Sequence, residues 1–273
     1  MSAVDEALAN RADPFGSLAG RLGVVTGASS GIGRAIAREL ARGGADLILH
    51  YARNQTGAIN TRSQIVGLGR DAEIVSADFA SLDQTLGFVD RVREIAGRDR
   101  RGRSVSFWVN NAGVDLLTTD ARQADYERRL ALLLDVDVRS AMLLSRQVAG
   151  QMRAEGIDGG AILNIGWDQS ERGMGGESGE LFAAAKAAIQ AATRSLAVSY
   201  APEVRLNCIA PGWIRTAWGE TAPQEWQDRV MAETPLKRWG EPEDIARLAR
   251  FLLSDSAAYL TGQVVFANGG AER

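Results

Sequence analysis

Residues 22–45 read LGVVTGASSGIGRAIARELARGGA, and they restrict the fold more than any other stretch of the chain. A short apolar run ends at Thr26, Gly27, Gly31 and Gly33 follow, and Ile32, Ile36 and Leu40 then recur at four-residue spacing. That order predicts a strand, a tight turn and a helix with one apolar face. Glycine suits the turn because it tolerates dihedrals that a side chain resists, and because backbone amides can then come close to a ligand. The helix start adds partial positive charge, so the ligand best served is the pyrophosphate of a dinucleotide. Glycines alone are a weak signal, but between a strand and a helix they are a specific one. Gly27, Ser29, Ser30, Gly31, Ile32 and Gly33 are therefore candidate cofactor-binding residues.

The alternation continues to the end of the chain. Strands are predicted at 22–26, 46–50, 73–76, 104–109, 161–165, 203–208 and 263–267, with helices near 31–43, 56–69, 81–97, 120–154, 178–200 and 241–254. Runs such as LILH at 47–50 and VSFWV at 105–109 are apolar at nearly every position, as in strands covered on both faces. The class is α/β, a doubly wound three-layer fold around a parallel sheet. With 273 residues and 45% hydrophobic content, one domain is expected over 20–273, behind a polar N-terminal extension at 1–19. The segment 215–240, carrying Trp218, Pro223, Trp226 and Pro235, interrupts the alternation where an insertion would lie over a ligand. It is predicted to be a lid, and its apolar surface suits a partly hydrophobic small molecule.

Composition removes other classes. A single cysteine, Cys208, and a single histidine, His50, allow neither a disulfide framework nor a zinc centre, so no metal site is expected. A net charge of −3 gives no pull toward nucleic acid. The basic cluster RDRRGR at 98–103 is expected to be a solvated turn. No apolar run approaches the ~18 residues of a membrane span, and the first residues lack the apolar centre of a signal peptide. A cytoplasmic, membrane-free protein is expected.

Four ordered motifs carry a resemblance. TGASSGIG at 26–33, NNAG at 110–113, PGWIRT at 211–216 and the stretch from Lys237 to Gly270 together resemble the short-chain dehydrogenase/reductase family over residues 20–270. The resemblance implies a Rossmann-type fold with seven parallel strands, and homodimers or homotetramers built through the helices at 120–154 and 178–200. It also implies that Asp78 and Phe79 meet the adenine, that Asn110, Ala112 and Gly113 flank the adenosine, and that Pro211, Gly212, Ile214 and Thr216 contact the nicotinamide side. The cofactor choice follows from charge. No acid ends the second strand to take ribose hydroxyls, whereas Arg53 and Asn54 stand where a 2′-phosphate would be received, which favours NADP(H) over NAD(H). His50 is expected to be a strand-end residue near the adenosine rather than a catalyst.

The family's catalytic positions map unevenly. A lysine four residues after the catalytic tyrosine matches Lys186, which is expected to hold the nicotinamide ribose, but the tyrosine position itself reads Phe182. The asparagine position reads Asp137. The serine region, anchored on LNI at 163–165, reads Gly166 and Trp167, while counting back from Phe182 reaches Gln169, with Asp168 and Ser170 to either side. An aspartate there and HYAR at 50–53 faintly echo the pteridine reductases, which keep their tyrosine. A phenyl ring has no proton to give, so a general acid must come from Asp168, Ser170, Lys186 or water. Trp167 is either an N–H donor or a pocket wall. The glycine-rich segment 171–180 is expected to be a mobile loop, with weak roles for Glu177 or Glu180. Two readings stay open: an atypical NADP(H)-dependent oxidoreductase of small carbonyls or alcohols, and a dinucleotide-binding sensor or partner subunit with little turnover.

Overall fold

The strands are β1 (Leu22–Val25), β2 (Asp46–Tyr51), β3 (Ala72–Ser76), β4 (Val105–Asn110), β5 (Gly160–Ile165), β6 (Val204–Pro211) and β7 (Val264–Ala267). In the computed structural model, which describes residues 15–99 and 101–271, they form one parallel sheet in the order β3-β2-β1-β4-β5-β6-β7. The order reverses between β1 and β4, and open α/β sheets bind ligands beyond the strands' carboxyl ends at such a reversal. Helices α1 (Gly31–Arg42), α2 (Gln55–Gly67), α3 (Leu82–Leu86) and α4 (Phe88–Ala96) serve the first half. The second half uses α5 (Tyr126–Leu133), α6 (Ser140–Ala154), α7 (Glu177–Tyr200), α8 (Ala217–Thr221), α9 (Gln224–Glu233) and α10 (Pro242–Leu253).

Because successive strand residues face opposite ways, a continuously apolar strand feeds two cores. Leu47 and Leu49 of β2 enter the core with Ile36, Leu40 and Ile245, whereas Ile48 enters the other with Trp108, Leu144 and Val148. Gly23 is needed for packing: a Cβ there would lie 1.9 Å from the Phe107 ring.

Three expectations are corrected. The helix predicted at 120–154 is a short turn, α5, a π-helical turn at Leu134–Arg139, and α6. Periodicity misses the π turn because tertiary bonds to Asp137 set it. The helix at 81–97 breaks at Gly87 into α3 and α4. The basic cluster is not a solvated turn: Arg103 reaches Asp46 at 2.6 Å and Arg101 reaches it at 2.8 Å. Asp46 is a buried acid whose charge needs those cations. The hydrogen bond from Arg103 also holds the Asp99 carboxyl well below the usual range.

Most of the proposed N-terminal extension, residues 1–14, lies outside the described residues. Of the remainder, Phe15 stacks on Phe251 of α10 and Leu18 is fully buried. The segment 215–240 carries α8 and α9, and Trp213, Trp218, Trp226 and Trp239 pack in tilted and edge-to-face pairs, with centroids 5.3–6.3 Å apart.

Candidate active site

The turn between β1 and α1 has the shape that its glycines require. Gly27 and Gly31 take φ of 64° and 52°, in the left-handed region that side chains disfavour. A Cβ on Gly33 would meet the Gly27 carbonyl oxygen at 2.2 Å, and one on Gly27 would meet Ala112 Cα at 2.9 Å. Ser30 stands at the N-cap without a side-chain cap bond, so the first amides of α1 are left for a ligand. A dinucleotide pyrophosphate fits a cradle with no room for side chains, and a nicotinamide dinucleotide bound there supplies hydride chemistry.

Two residues brace this turn in ways the sequence reading missed. His50 is 1% exposed. Its Nδ1 accepts the Gly27 N–H at 3.1 Å, so its Nε2 is the nitrogen that donates to the Ala77 carbonyl at 2.9 Å. Burial pushes its pKa down to about 4, which keeps the imidazole neutral. Asn111 donates to the carbonyls of Thr26 and Gly27, tying the NNAG segment to the same turn. Asn110 does the opposite of what was expected. Its carboxamide turns inward, accepts from Trp108 and donates to Ser145 and Asn164, so its side chain does not flank a ligand.

The adenosine end is mixed. Arg53 is 87% exposed on its side chain, with Asp78 at 3.9 Å. The Asn54 oxygen accepts the Gly57 N–H at 2.8 Å and caps α2, leaving only its amide N–H groups for a phosphate. The Phe79 ring is buried and stacks on His50 at 4.2 Å, which leaves its backbone for the adenine contact that the resemblance implies. Among the residues expected on the nicotinamide side, Pro211 ends β6, Ile214 bridges to Gly240, and the Thr216 methyl lies 3.7 Å from where a Gly31 Cβ would be.

The π turn delivers Asp137 to the site. Its Oδ2 lies 2.9 Å from Lys186 Nζ, and its Oδ1 accepts the Val114 N–H at 2.8 Å. Lys186 also donates to the Ile165 carbonyl at 3.3 Å. One turn earlier on α7, Phe182 packs against Leu116, Leu133 and Leu181, and meets the Trp167 ring edge at 6.3 Å. Ser170 donates its hydroxyl to the Trp167 carbonyl at 2.8 Å, so its proton is committed to the local turn.

Asp168 follows β5 on a single 3₁₀ turn and is 4% exposed, not a solvent-facing residue. Its Oδ2 accepts from Asn268 at 3.2 Å, while Oδ1 is buried with no partner among the described residues. Burial raises its pKa to about 6. Gly212 allows this packing, since a Cβ there would lie 2.6 Å from Asn268 Cβ and 3.2 Å from Asp168 Oδ2. The loop at 171–180 is also anchored: Arg129 of α5 pairs with Glu177, and the Tyr126 hydroxyl lies 3.5 Å from Glu180. Tyr126, distant in sequence, is thus brought to the start of α7.

A pyrophosphate turn at the first strand–helix junction, with a lysine held at the ends of β4 and β5, belongs to one class of protein: the Rossmann-type, dinucleotide-dependent oxidoreductases. The comparisons refine that class. The sequence model described as Enoyl-(Acyl carrier protein) reductase matches residues 27–272. An uncharacterized oxidoreductase of Methylorubrum extorquens is 35% identical, over 93% of this chain and 98% of its own length. A 3-oxoacyl-(acyl-carrier-protein) reductase of Pseudomonas aeruginosa is 32% identical, over 93% of this chain and 98% of its own. The crystal structure of a short-chain dehydrogenase from Burkholderia cenocepacia in complex with NADP superimposes with a TM-score of 0.79 at 30% identity, over 93% of this chain and 98% of that one. The chain belongs to the short-chain dehydrogenase/reductase family, as an NAD(P)-dependent oxidoreductase acting on CH–OH and C=O groups. Among the described residues no helix is long and apolar enough to cross a membrane.

Proposed function

We propose that this chain is an atypical NADP(H)-dependent member of its family that interconverts a small carbonyl and its alcohol, with Asp168 rather than a tyrosine handling the proton. The observation that carries the reading is the Asp168 carboxyl, buried, raised to about 6 and with one oxygen unpartnered. A general acid works best when its pKa lies near the working pH, and burial has moved this one there. The alternatives are weaker. Phe182 has no proton, the Ser170 hydroxyl is committed to Trp167, and the Lys186 ammonium is held by Asp137.

In this mechanism Lys186 orients the nicotinamide ribose, Asp137 fixes Lys186, and protonated Asp168 gives its proton to the substrate oxygen as hydride reaches carbon. In the oxidative direction the ionised carboxylate takes the proton back. The lid tryptophans exclude water. Selection of NADP(H) rests on Arg53, an exposed cation beside the end of β2, and assembly into homodimers or homotetramers belongs to the same proposal.

The test is a carbonyl panel with NADPH on the wild type, Asp168→Asn and Phe182→Tyr. Loss of about 10²-fold or more in kcat for Asp168→Asn, with NADPH affinity kept, supports the reading. Turnover only in Phe182→Tyr would leave a dinucleotide-binding protein without its own acid.

A further inference from the structure

Two charged side chains leave the π turn between α5 and α6 in different directions. Asp137 reaches Lys186 of α7 at 2.9 Å and accepts the Val114 N–H at 2.8 Å, just past the NNAG segment. Arg139 instead donates to the Ala80 carbonyl at 3.2 Å, beside Asp78 and Phe79, where the resemblance puts the adenine. A second guanidinium nitrogen of Arg139 pairs with Asp135 at 2.7 Å, four residues back on the same turn. A π turn is rare inside an α-helix, and outside partners are needed to hold its register. Arg139 supplies that hold on the adenosine side. The stretch it grips is itself braced. The Ala80 N–H donates to the Asp78 carboxylate at 3.0 Å, and the Ala77 carbonyl accepts from His50, whose Nδ1 takes the Gly27 N–H. Backbone and hydrogen bonds thus join the pyrophosphate turn, residues 77–80, the π turn and Lys186 in one continuous path.

From this path we infer that Arg139 is a positioning residue. By pinning the π turn to Ala80 it fixes Asp137, and through Asp137 the ammonium of Lys186. The adenosine half of the cofactor, settling against residues 78–80, stiffens the anchor that Arg139 grips, so Lys186 is set before the nicotinamide half arrives. Without Arg139 the turn relaxes toward the ordinary α register, which rotates Asp137 about the helix axis and away from Lys186. The π turn is then the element with two arrangements, and both ends of the cleft bias it. The inference rests on the reading above only in taking Lys186 to hold the nicotinamide ribose, and it requires no turnover.

The sequence contains two lysines, Lys186 and Lys237, so Lys186 can be followed individually. The full chain is pulsed with acetic anhydride, and mass spectrometry gives the acetylation rate of Lys186 relative to Lys237, whose Nζ donates to the Ala232 carbonyl at an exposed site. An ammonium held by a carboxylate offers the reagent no lone pair. In Arg139→Met, Lys186 should label about 10-fold faster than in the wild type, the scale of a lost bond to a charged group, and Arg139→Lys, which keeps a donor, should restore much of the protection. Saturating 2′,5′-ADP supplies the adenosine half of NADP without the nicotinamide ribose. It should slow Lys186 labelling about 5-fold or more in the wild type and leave it unchanged in Arg139→Met, although calorimetry still shows the nucleotide bound. Equal Lys186 labelling in wild type and Arg139→Met overturns the inference, as does slowing by 2′,5′-ADP that survives in Arg139→Met. Lys186 and Lys237 accelerating together in Arg139→Met mark a lost fold rather than a lost position. The wild type then decides, and Lys186 labelling there that bound 2′,5′-ADP leaves untouched overturns the inference. Absence of carbonyl turnover bears on Asp168 and changes none of these rates.

Discussion

Asp168 carries a stability cost that can be measured apart from any reaction. Its folded pKa is raised to about 6 by burial, so the folded state binds a proton that the unfolded chain has already released near pH 5. Above about pH 6 the charged form is buried at a cost, and below the ordinary carboxylate range that cost vanishes. Asp168→Asn should therefore raise stability by roughly 1–3 kcal/mol near pH 8 and by little near pH 4, read from thermal melts at the two values. A second prediction concerns His50. His50→Phe would leave the Gly27 N–H and the Ala77 carbonyl without their imidazole partner. Each orphaned buried group costs ~1–3 kcal/mol, and the displaced turn should weaken NADPH binding about ten-fold, as isothermal titration would record. The glycines were legible from their place between a strand and a helix, and Lys186 from the family resemblance. The brace by His50, the inward turn of Asn110 and the tie made by Asn111 were not, because a side chain's direction at a strand end is decided by neighbours far away in sequence.

Among the elements, the sheet was the most readable, since parallel strands buried on both faces leave continuous apolar runs such as LILH. The helix carrying Asp137 was not. Its π turn departs from the 3.6-residue period at the place where the carboxylate takes both Lys186 and the Val114 amide, so tertiary bonding overrode the local pattern. The same limit hid the clamp at the amino end of β2. A run of arginines looks solvated until the acid it serves is placed, and that acid, Asp46, lies some fifty residues away in the chain. Arg103→Ala leaves Asp46 with Arg101 as its remaining clamp. Stability should fall by roughly 1–3 kcal/mol by urea denaturation, with cofactor affinity unchanged because the clamp is at the end of the sheet away from the nucleotide.

At the scale of the whole molecule, the segment after β6 serves two sites at once. Thr216 rests against the pyrophosphate turn at Gly31, and the same segment leads directly into α8, α9 and the tryptophan cluster. The segment is expected to cover the phosphates of a dinucleotide bound in that turn and to complete the substrate chamber after it. The expected order is nucleotide first, organic substrate second, and the spent nucleotide last. Indole emission should change when NADPH is added alone. Rapid mixing should then show a burst of cofactor oxidation followed by a slower steady rate, the pattern expected where the lifting of that loop sets the pace.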